Sequence, residues 1–163
     1  MANYQIPNEL LGLPNVKAVS YQITGDELIE VFIESSLGAG VCPECQQVST
    51  QIHDTAELQT IRDLPMWDRQ CWLRYAPRRF ACATCRNTFV ERVAWREPGF
   101  AHTLRYAQHI YQRTRREDMA QVAQDEGLSQ DLAGASLSAG QKNARPAGLP
   151  AGKGALPGRN HDS

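Results

Sequence analysis

Two Cys-x-x-Cys pairs, Cys42-Pro43-Glu44-Cys45 and Cys82-Ala83-Thr84-Cys85, are the residues of this chain whose type and spacing could do chemistry. Each pair suits a tight turn that aims two sulfurs at one point. Together they supply the four thiolates that a tetrahedral structural zinc needs. Disulfide pairing, or redox activity of a single pair, is the competing reading. Five cysteines are an odd number, which argues against a closed disulfide framework. Four thiolates leave no open position for water, so such a site is structural rather than catalytic. Cys71 has no partner at knuckle spacing and reads as a buried free thiol. His53 could replace a thiolate, but four cysteines already complete the tetrahedron. No Ser/His/Asp arrangement, phosphate-cradling glycine loop or credible carboxylate pair is present. One structural zinc is therefore the expected cofactor, with no enzymatic activity and no small-molecule substrate.

The second chemical signal is charge. The net charge of -1 conceals a strong asymmetry. Residues 1–61 hold one base, Lys17, against eight acids, whereas residues 62–116 hold twelve arginines against four acids. An arginine block beside a metal site reads as an electrostatic footprint for phosphate backbones. The alternative is a solvated surface paired with the acidic N-terminal third. Arg74, Arg78, Arg79, Arg86, Arg92 and Arg96 flank the cysteines and are candidate DNA contacts. Arg113, Arg115 and Arg116 stand further on as a second candidate group. Trp72 and Phe80 fall on the Arg74/Arg78 side, where aromatics suit nucleic acid, although core packing is the commoner fate of Phe80. The N-terminus has no secretory pattern and no stretch approaches a membrane span. A cytoplasmic location without a membrane partner is expected, and reduced thiols there favour metal.

These residues must be positioned by the elements around them. The 36 residues between the pairs exceed the commonest double-knuckle spacing, so that loop must hold structure of its own. Asn8 to Pro14 reads as a short helical turn. Val16 to Ile23, with Val19, Tyr21 and Ile23 on one face, and Leu28 to Ile33, with Ile29, Val31 and Ile33 on one face, form a hairpin across Thr24-Gly25-Asp26. Gly38 and Gly40 are expected to turn the chain tightly into the first knuckle. Ile61-Arg62-Asp63-Leu64-Pro65 is expected to break any continuing element. Cys71, Leu73 and Tyr75 give a strand one apolar face, and Pro77 makes it an edge or bulged strand. Asn87 to Val93 reads as the closing strand.

The expected fold class is α+β: an elaborated zinc ribbon of antiparallel strands, then two helices of a partial helix-turn-helix, then a disordered tail. The expected division is a ribbon domain at 1–97, a helical part at 98–133 and the tail at 134–163. Thr103 caps a helix carrying Leu104, Ala107, Ile110 and Tyr111. A second helix from Glu117 or Asp118 to Glu126 sets Met119, Val122 and Ala123 on one face, and Gly127 supplies the left-handed turn of a helix-turn-helix. From Gly134 onward there are six glycines, three prolines, six alanines and no aromatic residue. Such a segment cannot bury enough apolar surface to order itself. The abrupt change is expected to mark a reading-frame shift near Ser129–Ala133.

Several stretches stand in one order: Leu10-Leu11-Gly12-Leu13, Cys42-Pro43-x-Cys45, His53-Asp54, Arg62-Asp63-Leu64-Pro65, Arg78-Arg79-Phe80-x-Cys82, Cys85 and Phe89-x-Glu91-Arg92. Over roughly residues 8–130 they resemble the N-terminal zinc-finger domain of the IS-L-three-type insertion-sequence transposases. That resemblance implies a zinc domain and a following helix-turn-helix that bind transposon terminal repeats. It further implies a separate catalytic domain, which this truncated region is expected to lack, and full-length transposase as a possible partner. Gln46 departs from the family in standing where glycine is usual. The other class of function weighed is a small zinc-ribbon/helix-turn-helix transcriptional regulator or protein-binding module.

Overall fold

The computed structural model of the chain describes residues 7–128. The expected tail and the continuation of the helix-turn-helix past Leu128 lie outside them. The element order is α1 (Asn8–Leu11), β1 (Val16–Thr24), β2 (Leu28–Ser35), β3 (Gly40–Val41), β4 (Val48–Ser49), β5 (Ile52–Thr55), β6 (Gln59–Met66), β7 (Arg69–Tyr75), β8 (Arg78–Ala81), β9 (Thr88–Val90), α2 (Leu104–Thr114) and α3 (Met119–Glu126). Fold class α+β, with a zinc ribbon among its strands, agrees with the sequence.

Alternation in β2 and β7 drives the main sheet. Ile29, Val31 and Ile33 stand beside Cys71, Leu73 and Tyr75 in register, so six apolar side chains share one face. Ile61, Val16 and Ala18 extend that face, and Leu11, Leu13 and Trp95 cover it. Burying each large aliphatic or aromatic side chain contributes about 1.5–3 kcal/mol. The strand order is β1-β2-β7-β6, with the small ribbon sheets β3-β4 and β5-β8-β9 beside it. Strands of the two bodies are interleaved along the chain. After β2 the backbone leaves to build β3, β4 and β5, returns for β6 and β7, and leaves again for β8 and β9.

Four local expectations are corrected. First, the strands are not all antiparallel, because β2 and β7 pair in parallel. The long excursion through the first knuckle supplies the crossover that parallel neighbours require. Second, Ile61–Pro65 does not break the chain's extended run, since β6 passes through it. Pro65 sits where the register slips between Asp63 and Met66 on an edge strand, so its missing N–H removes no ladder bond. Third, β7 is central rather than an edge strand, and Pro77 lies beyond its end. Fourth, a bulge between Ala18 and Ser20 upsets the alternation of β1, leaving Val19 half-buried and Ile23 47 % exposed.

The helices follow their caps. The Thr103 hydroxyl accepts the Tyr106 N–H at 3.2 Å, and the Asp118 carboxylate accepts the Ala120 N–H at 2.8 Å. Tyr106, Ala107 and Ile110 are the buried face of α2, with Leu104 and Tyr111 only half-buried. In α3, Val122 and Ala123 are buried while Met119 is 52 % exposed. Gly127 ends α3 at φ 63°.

Polar clasps fix α2 against β6. Buried Asp63 accepts hydrogen bonds from Thr103 Oγ1 at 2.7 Å and Arg105 Nε at 2.8 Å, and Arg105 also donates to the Leu11 carbonyl at 2.7 Å. Buried Arg62 donates to Gln70 at 2.6 Å, lies over the Trp72 and Tyr106 rings, and pairs with Glu126 at 3.7 Å. Arg113 binds Glu117, Asp125 and Glu126 together, and it holds the Glu117 and Asp125 carboxyls below the usual carboxylate range.

Candidate metal centre

Each cysteine pair is set by a short hairpin whose turn repeats the same backbone pattern. In the first, Cys42 N–H donates to the Gln47 carbonyl at 2.9 Å and Gln46 N–H to the Cys42 carbonyl at 3.0 Å. In the second, Cys82 N–H donates to Asn87 and Arg86 N–H to Cys82, both at 2.9 Å. The residue after each second cysteine is left-handed, Gln46 at φ 61° and Arg86 at φ 59°. Glycine adopts that conformation without steric cost, so a side chain at either position raises the energy of the turn.

The hairpins bring the Sγ atoms of Cys42, Cys45, Cys82 and Cys85 within 4.8 Å of one another. A zinc with Zn–S bonds of about 2.3 Å separates its sulfurs by about 3.8 Å, so the donor set fits one tetrahedral ion. Cys45 and Cys82 stand 3.5 Å apart, far beyond the roughly 2.05 Å of a disulfide, and all four thiols are free. Cys42 and Cys82 are buried, and Cys45 and Cys85 are half-buried. The Cys85 N–H stabilises the Cys82 thiolate and lowers its pKa to about 7, whereas proton sharing with the Cys45 sulfur raises that of Cys85. Four sulfurs this close cannot all be anionic without a cation, and a structural zinc supplies it.

Beneath the sulfurs, Phe80 and Phe89 stack with centroids 5.9 Å apart and form a small apolar core with the cysteines. Phe80 is therefore a core residue. Sequence reasoning overlooked the pairing of these two rings, although each lies close outside the second knuckle. It also missed the role of Glu91. That buried carboxylate accepts from Ser35 Oγ at 2.5 Å, Tyr75 Oη at 2.5 Å and Arg78 N–H at 2.7 Å, tying the ribbon to the main sheet. The Tyr75 hydroxyl is pushed well above the usual phenol range by burial and by this carboxylate.

The candidate arginines separate into two groups. Arg74 binds Thr60 and lies 3.8 Å from Glu30, Arg78 donates to the Leu37 carbonyl at 2.6 Å, and Arg79 forms a two-pronged pair with Asp54. Arg79 and His53 both hold the Asp54 carboxyl low, Arg79 more strongly. Arg96 donates to the Phe100 carbonyl at 2.6 Å and to Gln59, and Arg113 is taken by its three carboxylates. Arg86, Arg92, Arg115 and Arg116 are exposed and make no side-chain hydrogen bond or ion pair among the described residues. Trp72 lies under Arg62 rather than free on the surface. Cys71 is fully buried, its thiol pushed up to about 12 by desolvation, and it stands apart from the metal cluster.

Residues 38–85 match the family model for the zinc-finger of transposase IS204/IS1001/IS1096/IS1165. The matched stretch begins at the loop before β3 and ends on Cys85, so it contains all four clustered cysteines. No curated protein and no solved structure matches the chain.

Proposed function

We propose that this region binds DNA as part of a transposase and contacts transposon ends, with the zinc holding the contact surface in shape. The observation that carries the reading is a four-thiolate centre within a stretch similar to a transposase zinc finger, in a chain with exposed arginines that no group among the described residues neutralises. A guanidinium kept in water without a carboxylate partner is available to a phosphate. Arg86, Arg92, Arg115 and Arg116 are the leading contacts. Arg74 and Arg79, held on one side by protein partners, are secondary ones. In this reading α2 and α3 with the Gly127 turn are the opening of a helix-turn-helix, and Arg115 and Arg116 bind phosphates beside it. The contribution is binding rather than strand cutting, and a full-length transposase is the partner that would use it.

A gel shift with the zinc-loaded protein tests this, using duplexes carrying the ends of neighbouring insertion sequences and random duplexes of equal length. Binding to the ends at least tenfold tighter supports end recognition. Equal binding to both removes it.

A further inference from the structure

The two knuckles share a backbone and differ in what they present to solvent. From residue 38 to residue 61 there is no lysine or arginine, and the first knuckle carries Glu44 and Gln46. The second is flanked by Arg78 and Arg79 and carries Arg86. The Glu44 carboxylate accepts the Asn87 amide at 3.0 Å across the seam between the knuckles, leaving Arg86 without an acidic partner among the described residues. Arg78 is held by the Leu37 carbonyl and Arg79 by Asp54, so Arg86 is the basic side chain that the second knuckle presents unpaired among the described residues, and the first knuckle presents none.

Backbone strain points the same way. Both left-handed positions bear side chains that raise the energy of that conformation. Gln46 recovers part of the cost, since its amide donates to the Pro43 carbonyl at 3.1 Å. The Arg86 guanidinium recovers none, because it touches no acceptor among the described residues. A long cation held at a strained position, doing nothing for the fold, marks a contact made outside it.

We infer that the second knuckle, led by Arg86, is the face of the ribbon that meets duplex DNA, and that the first knuckle faces away. This rests on the DNA-binding reading above and adds an orientation to it. The positions make stability and binding move in opposite directions on one substitution. Arg86→Gly relieves the strained turn while removing the contact.

The test is fluorescence anisotropy on zinc-loaded full chain with the tightest-binding duplex from the gel shift, beside thermal melting and zinc content. Arg86→Gly is expected to bind about tenfold more weakly, to melt a few degrees higher, and to keep one zinc per chain. Its salt slope should fall by about 0.9 if the contact is a phosphate. Arg86→Gln, which keeps the backbone cost, should lose binding equally without the gain in melting temperature. Gln46→Gly should keep wild-type affinity. Arg86→Gly with wild-type affinity, or Gln46→Gly losing as much as Arg86→Gly, overturns the orientation alone. Wild-type protein that binds no duplex overturns both readings.

Discussion

A methyl group on Gly40 would stand 2.8 Å from Phe80 Cδ2 and 2.9 Å from Phe89 Cε2, closer than real carbon contacts come. Both rings are stacked under the metal, so neither can yield without moving the cysteines it supports. Gly40→Ala should therefore destabilise the zinc-loaded protein by about 1–3 kcal/mol, the usual cost of overpacking. Urea denaturation checks this, and an unchanged midpoint would mean that the rings repack freely. Gly38 offers the contrast: nothing lies within 4 Å of its added methyl group. Reading the sequence gives both glycines to a tight turn, yet neither adopts a positive φ, and the requirement at Gly40 is close approach to residues forty and more positions away. Local spacing conveys nothing about such a contact. It does convey the two cysteine pairs and the free thiol at Cys71, since those are read from spacing along the chain.

The same division runs through the elements. The β1–β2 hairpin, the cap at Thr103 and the stop at Gly127 are set by residues a few positions apart and are legible in the chain, whereas Asp118, expected as a possible first residue of the second helix, is its cap. Strand β6 is not legible, because the local rule for Pro65 is outweighed by its place at a sheet edge. Nor is the parallel partner of β2, which arrives after an excursion of more than thirty residues. Arg62 and Asp63, which stand in the stretch expected to break the chain, are instead the buried seam between β6 and the helices. Removing one member of such a pair leaves the other without its compensation. Asp63→Ala should cost about 3–5 kcal/mol, measured by urea denaturation with zinc saturating. A loss below about 1 kcal/mol would place the Arg105–Asp63 pair among ordinary surface ion pairs.

Across the whole molecule, the arginine block that dominates the composition divides by burial. Arg62, Arg96, Arg105 and Arg113 serve internal clasps, whereas Arg86, Arg92, Arg115 and Arg116 are exposed and unpaired among the described residues. Net charge by segment cannot make that division, because it depends on which acids fold back onto which bases. The zinc also acts at this scale. It joins Cys45 to Cys82 across a loop that contains β6 and β7, so losing it frees strands of the main sheet as well as the knuckles. A chelator strong enough to strip structural zinc should lower the melting temperature by more than about 10 °C, given the size of zinc's folding contribution. The zinc-loaded protein should melt in one transition, followed by far-ultraviolet circular dichroism and by the fluorescence of its three tryptophans, Trp67, Trp72 and Trp95. Two separate transitions would mean that ribbon and sheet are independent.

Because the strands of ribbon and sheet alternate along the chain, the finger is not a portable cassette. A fragment cut at residues 38 and 85 would keep all four clustered thiols yet carry β7 away from β2, baring Leu73 and Tyr75, and would forfeit Phe89 from beneath the metal. The smallest piece that could be grafted onto another protein with its surfaces closed runs from α1 to the end of α3, because Asp63 and Arg62 are covered by Thr103, Arg105 and Glu126, and it is more than twice the length that the transposase finger model covers.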